Sequence, residues 1–506
     1  MQSTNNYYRL LHTQDSVMAI SYKNTVKSSL KASHHPYLNG AWTPNFTEYT
    51  ANEMEVIGRI PDDIDGVYIR NTENPVQEPL GHYHPFDGDG MIHSMSFKDG
   101  KAEYRNRFVR TKGFDAEQEA GQALWAGIAN KPSMSIRPGW GAQGGVKDAS
   151  STDVAVHAGE IISTFWQCGD GYRLDPFTLE QLGTESWTPI DGISAHPKVD
   201  ERTGEMLFFN YSIYPPYQHY GVVDSNNKLV HYTPVPLPGP RLPHDMAFSE
   251  NYSILADLPM FWDPEKLKEG RYHAAYHPDM PSRFAILPRY GNSEDIQWFE
   301  ANATYVLHWM NAYEEGDEIV LDGYFQDQPD PEPLAGLPKA AGQMMANIDI
   351  HSFQSKLHRW RFNLKTGAVN EQRLDDRALE FGTINQQYAG RKHRYIYSVW
   401  GEPNWFLFSG MVKHDLDTGE SWSLPFGEQR FGSEAPFAPR INAKDEDDGY
   451  LVSFITDMKE NRSECVLIDA KDIEAGPVCR IVLPHRICSG THATWASGES
   501  IRKHQK

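Results

Sequence analysis

Apolar and polar positions alternate along most of this chain in short runs, and Asp, Asn, Gly or Thr punctuates the runs. Alternation with a period of two marks a half-buried β-strand, whereas helical periodicity is scarce here. The stretch GMIHSMSFKDGKAEYRNRFVRT (90–111) predicts two strands folded about Lys98-Asp99-Gly100, because Asp and Gly accept the backbone dihedrals of a tight hairpin. RLDPFTLEQLG (173–183), HPKVDERTGEMLFFNYS (196–212), WRFNLKTGAVNEQRL (360–374), VKHDLDTGESWSL (412–424) and DGYLVSFITDMKENRSECVLIDA (448–470) repeat the scheme. Residues 115–128 and 263–269 predict short helices between strands. Residues 1–33 read as a polar tail ahead of a single domain over 34–506, and 326–344 as a proline-rich loop. So many short antiparallel units without a break in composition predict an all-β fold. Radial repetition, the β-propeller, is the arrangement that hides that many sheet edges, although weak repetition leaves the blade count open.

Composition sharpens this reading. With 506 residues, 39% hydrophobic and 12% aromatic, the chain can bury a large core. Its formal charge of −21 argues against a nucleic-acid partner, which needs a basic face to displace counterions. The four cysteines, Cys168, Cys465, Cys479 and Cys488, have no CxxC spacing, so a reduced, cytoplasmic setting is expected and zinc-thiolate chemistry is not. The N-terminal stretch lacks a basic segment followed by an apolar one, and no apolar run is long enough to span a bilayer.

Four histidines share a setting that the others lack: His196 in ISAHPK, His244 in RLPHDMAF, His308 in YVLHWMNA and His492 in SGTHATW each begin or interrupt a probable strand. They lie 48, 64 and 184 residues apart, too far for a local metal loop but within reach of one another if their strands converge on a propeller axis. These sites and the segments HYHPFDGDGMIH (82–93), PHDMAFSENYSILADLPM (243–260), NAYEEGDEIVLD (311–322) and LPHRICSGTHATW (483–495) resemble the carotenoid cleavage oxygenase family, from about Pro36 to Trp495.

The resemblance implies a seven-bladed propeller with inserted loops and short helices capping an axial Fe(II) held by His196, His244, His308 and His492. Four neutral imidazoles on an octahedral ion leave two positions open, whereas zinc would be satisfied by the same four as a closed tetrahedron. The second nitrogen of a metal-bound imidazole needs an acceptor. The family pattern places Glu380 (LEFGTIN) and Glu434 (GSEAPF) in that role. At the third position the chain departs, with Gln167 or Trp166 in IISTFWQCGDGY where relatives carry Glu. His82, His84 and His93 and the DGDG turn are expected to be structural, as are Glu314 and Glu315 at a solvated hairpin tip. An EF-hand fails for want of a Glu twelve positions into the loop.

The activity implied is O2-dependent scission of a carbon–carbon double bond into aldehyde or ketone fragments. No GxSxG elbow or Walker loop offers a rival chemistry. Ile128, Phe165, Trp166, Phe261 and Trp309 are expected to line an apolar substrate pocket. Ile128 and either Phe165 or Trp166 stand where the stilbene-cleaving branch carries a phenol-binding Tyr and Lys, which favours a carotenoid or apocarotenoid. IRNTENP (69–75) instead resembles the phenylpropene-cleaving branch, so stilbene or phenylpropene cleavage is the alternative. A propeller that only binds and an iron-dependent isomerohydrolase are further rivals. The segment QALWAGIANKP (122–132), with Leu124, Trp125 and Ile128 together, is the candidate for peripheral membrane contact.

Overall fold

In the computed structural model the alternating runs become antiparallel strands throughout the described residues, which are 8–13, 16–31, 35–137, 147–185, 187–188, 192–268, 273–337 and 339–504. Five four-stranded meanders follow one another in chain order, over 153–185, 198–236, 247–301, 309–373 and 379–425. A six-stranded sheet is built mainly on Gly449–Asp457 and Arg462–Asp469, and an eight-stranded sheet on Asp89–Lys98 and Lys101–Phe108. The small hairpin of Met260–Trp262 and Ala274–Tyr276 stands apart from these sheets.

The sheets form an all-β propeller. Their innermost strands meet side by side: Ala493–Ser497 touches Asp153–His157, which touches Lys198–Asp200, and Trp309–Glu315 lies between Ala247–Phe248 and Leu379–Thr383. The ring closes where Ala493–Ser497, near the C-terminus, pairs with Gly66–Arg70 from the N-terminal part, Ala493 opposite Arg70. Such pairing removes an exposed sheet edge. Apolar faces of neighbouring sheets meet in the core, as where Phe284 and Ile286 pack with Trp309, Trp360 and Phe362.

The hairpin at Lys98-Asp99-Gly100 forms as the sequence predicts. Asp99 and Gly100 both take positive φ, 51° and 69°, the two-residue geometry that matches strand twist. Other local expectations need correction. Much of the described N-terminal stretch is strand rather than a polar tail: Tyr8–Thr13 pairs with Ser16–Thr25, which pairs with Thr47–Asn52, and Ile20 is buried. The helix predicted over 115–128 runs over Lys112–Ala120 and stops at Gly121, whose φ of 67° is the left-handed cap glycine accepts readily. The second helix is Pro264–Lys268, with residue 269 outside the described residues, and the proline-rich loop ends in a helix, Lys339–Ala346.

The segment 122–132 is not a helix with an outward apolar face. Leu124 and Trp125 are buried, the Glu117 carboxylate accepts the Leu124 N–H, and Asp87 accepts that of Ile128. Periodicity identified its apolar residues but not the side they face. Among the described residues no helix is long and apolar enough to cross a membrane.

Candidate metal centre

Each of the four histidines sits just ahead of an innermost strand: His196 before Lys198–Asp200, His244 before Ala247–Phe248, His308 before Trp309–Glu315 and His492 before Ala493–Ser497. Propeller geometry aims these strand entries at the axis, so residues far apart in the chain converge. One potential ligand nitrogen from each imidazole lies within 4.8 Å of all the others. Nε2 of His196 and Nε2 of His244 are 3.2 Å apart, and the ring centroids of His308 and His492 are 4.7 Å apart.

The backbone around these residues is held from several directions. Asp245, next to His244, accepts the Trp309 N–H at 2.8 Å and pairs with Lys198 at 2.7 Å, tying three strand entries together. His196 adopts φ 62°, uncommon outside glycine, and its N–H donates to Asp153 at 3.2 Å. The His492 carbonyl accepts the Asn71 N–H at 3.0 Å, so ring closure also fixes this residue.

Three imidazoles have a carboxylate at Nδ1. Glu380, fully buried, places Oε2 2.6 Å from His308 Nδ1 and also accepts the Phe381 N–H and the Ser355 hydroxyl. Glu434 Oε2 lies 3.3 Å from His492 Nδ1 and accepts the Ala493 N–H at 2.7 Å. Asp153 Oδ2 lies 3.2 Å from His196 Nδ1. His244 has no carboxylate within ion-pair distance among the described residues. Gln167 is buried near this region, yet it bonds to none of the four imidazoles and its Nε2 has no partner.

Burial, joined by the neighbouring imidazoles and Lys198, holds His196, His244 and His308 well below the usual imidazole range, so they are neutral. Burial also depresses His492, but the Glu434 hydrogen bond and the charges of Glu434, Asp153 and Glu73 outweigh it, and the net shift is upward. Burial raises Glu380 to about 8 and Asp153 to about 6. The His308 Nε2 is buried without a hydrogen-bond partner. An orphaned ring nitrogen facing three others, with Nδ1 engaged behind it, is a donor set compatible with a metal ion.

Two spaces adjoin the imidazoles. A polar channel of about 700 Å³ is bordered by Asp153, Lys198, Glu201, Asp245, Glu434 and Lys503. A much smaller apolar cavity, about 60 Å³, opens onto His244, His308 and His492 and is walled by Phe86, Trp166, Ile350, Phe353, Phe381 and Phe406. Its walls come largely from connections between strands, such as the turn Pro85–Asp87.

Of the expected pocket residues, Trp166 lines this cavity, and Ile128 and Phe165 cluster with Trp166 behind it. Phe261 lies elsewhere, stacked on His277 at 4.1 Å beneath the Arg241 guanidinium. Trp309 packs on Trp360 and Phe284 in the inter-sheet core and borders the polar channel rather than the apolar cavity. Sequence reasoning missed Asp153, Phe381, Phe406 and Glu73, the last a buried carboxyl on the cavity wall. Asp153 carried one usable signal: like the histidines, it stands at the entry to an innermost strand.

Comparison with known proteins agrees with the fold and the histidine cluster. A family profile described as retinal pigment epithelial membrane protein matches residues 42–497. The carotenoid 9,10(9',10')-cleavage dioxygenase 1 of Arabidopsis thaliana is 32% identical over 92% of this chain and 91% of its own. The isoeugenol monooxygenase of Pseudomonas nitroreducens is 30% identical over 91% of this chain and 98% of its own. The crystal structure of Pseudomonas brassicacearum lignostilbene dioxygenase superposes with a TM-score of 0.81 at 27% identity, covering 93% of this chain and all of that one. The chain belongs to this family, the carotenoid cleavage oxygenases, and is by that membership an oxygenase.

Proposed function

We propose that this protein is a non-haem Fe(II) dioxygenase that cleaves a carbon–carbon double bond of a conjugated, largely apolar substrate with O2, giving aldehyde or ketone products. A carotenoid or apocarotenoid is the favoured class. The observation that carries the reading is the convergence of four imidazoles on one point beside an apolar cavity. On this reading His196, His244, His308 and His492 hold the ion, and the seven sheets of four or more strands are the seven blades around it. Bound Fe(II) supplies an open coordination site and one-electron chemistry for O2.

The chain does the rest through placement. Glu380, Glu434 and Asp153 accept from Nδ1–H and so keep the Nε2 lone pairs of His308, His492 and His196 pointing inward. Phe381, Phe406 and Phe353 make the walls of the space beside the imidazoles apolar, and aromatic walls can stabilise positive charge developing on a conjugated chain. Trp166 and the cluster behind it, with Ile128 and Phe165, close one side against polar groups.

An aryl alkene is the second reading. It is favoured by the relatives named for isoeugenol and lignostilbene, and by a second buried carboxyl in the cavity wall besides Glu380, that of Glu73. The test is mass spectrometry of products formed under labelled O2 from β-carotene, apocarotenals, resveratrol and isoeugenol. Label in carbonyl products is the expected result. Isomerised or hydrolysed products without label, or protein that binds no iron, would refute the proposal.

A further inference from the structure

Glu73 is the least expected group near the imidazoles. It lies in the two-residue strand Glu73–Asn74, with Glu73 opposite Gly90. Its backbone packs closely on Gly88, where an added Cβ would come 2.6 Å from the Glu73 carbonyl carbon. The side chain is 4% exposed and lines the apolar cavity. Oε1 accepts the Thr491 hydroxyl at 3.0 Å, but Oε2 is buried with no hydrogen-bond partner.

Glu380 is the other carboxyl on this wall, and both its oxygens are engaged, with His308 and Phe381 on one and Ser355 on the other. Glu73 is not one of the groups whose donor atoms converge with the imidazole nitrogens. A buried, unpartnered carboxyl oxygen costs stability unless something fills the gap. The wall it belongs to is that of the cavity opening onto His244, His308 and His492, so a group on a molecule entering that cavity is the partner the geometry offers.

We infer that Glu73 is a substrate-binding residue whose Oε2 accepts a hydrogen bond from a hydroxyl group on the substrate. This rests on the alkene-cleaving reading above and narrows its substrate to conjugated alkenes, aryl or polyenyl, with a hydroxyl on the half that enters the cavity. The aromatic walls take the conjugated carbons, and Thr491 holds the far oxygen of the carboxyl so that Oε2 stays directed at the hydroxyl. A ligand of the same shape without the hydroxyl leaves Oε2 unsatisfied, and that penalty is the source of discrimination.

Iron-loaded full-length protein is assayed on two matched pairs, 4-hydroxystilbene against 4-methoxystilbene and zeaxanthin against β-carotene. Binding of the stilbene pair is measured by calorimetry without O2. The expected result is a preference of about 10- to 100-fold in kcat/KM and in affinity for the hydroxylated member of at least one pair, the range a hydrogen bond to a carboxylate supports. The pair that shows it identifies the aryl or the polyene source. Glu73→Leu should abolish the preference, read as the ratio of kcat/KM within the responding pair. Glu73→Gln, close in shape, should retain part of it and guards against misfolding. Cleavage with no hydroxyl preference, or a preference unchanged in Glu73→Leu, overturns this inference alone. Iron-loaded protein that cleaves none of the four alkenes overturns the functional reading and this inference with it.

Discussion

The strand Trp309–Glu315 has two ends that solve the same electrostatic problem in opposite ways. At the axis, His308 precedes the strand and meets Glu380, whose side chain is fully buried and whose carboxyl is pushed up to about 8 by that burial. At the rim, Glu315 is 40% exposed at its side chain and pairs with Lys392 at 2.9 Å and Arg361 at 2.8 Å, which pull it down to about 2. The partners differ, but the solvent decides the outcome. Where water is excluded, a carboxyl is costly unless a ligand set needs it; where water remains, ion pairs form cheaply and contribute little. The axial end is therefore where function can be broken, and the rim end where a similar change should pass almost unnoticed.

The largest effect is expected at His308. His308→Ala removes one of four ring nitrogens, and iron measured by mass spectrometry on protein purified without chelator should fall from near one equivalent to a small residue, with cleavage activity lost alongside. Unchanged iron in the variant would mean that the four imidazoles do not act together. Glu380→Gln should come next. The amide can still accept from Nδ1–H but, unlike the carboxyl, cannot give up a proton when a cation binds the imidazole, and metal affinity should fall roughly 10- to 100-fold in competition with a chelator. Glu434→Gln should fall at the lower end of that range, because its oxygen is 3.3 Å from His492 rather than 2.6 Å from His308. Equal losses in the two variants would break the link between distance and affinity.

What the sequence disclosed follows the reach of each cause. The turn at Asp99-Gly100 depends on two adjacent residues, so it was legible. The four histidines were legible as a set because each stands at a strand entry and because the surrounding segments resemble a known family. Asp153 was not, since its partnership with His196 depends on two innermost strands lying side by side, and no spacing in the chain encodes that. The family pattern pointed to Gln167 or Trp166 at the third acceptor position, whereas the fold leaves Gln167 without a bond to any of the four imidazoles. Leu124 and Trp125 form an apolar cluster in the sequence as they do in space, but burial under neighbouring loops turns it inward. The hairpin tip was read as simply solvated. In the fold Glu314 also accepts from the Ser249 hydroxyl and the Asn251 N–H, both at 2.8 Å, so even the rim is stitched to the next sheet.

The smallest effect belongs to Glu315, and its direction with pH is fixed by the sign of its shift. The folded-state carboxyl titrates at about 2, below the roughly 4.3 of an unfolded chain. Its ionised form is therefore favoured by folding, and the contribution is complete above about pH 4.3 and lost as pH falls through about 2. Exposure and ionic screening limit that contribution to about 0.2–1 kcal/mol. Glu315→Gln should accordingly lower stability by no more than this at pH 7, measured by urea unfolding. The gap between variant and wild type should shrink in high salt and close as the pH is taken from 4 toward 2. Iron content and product profile should not change. A loss of iron in Glu315→Gln would show that the two ends of the strand are coupled, and the contrast between a functional axis and a tolerant rim would fail.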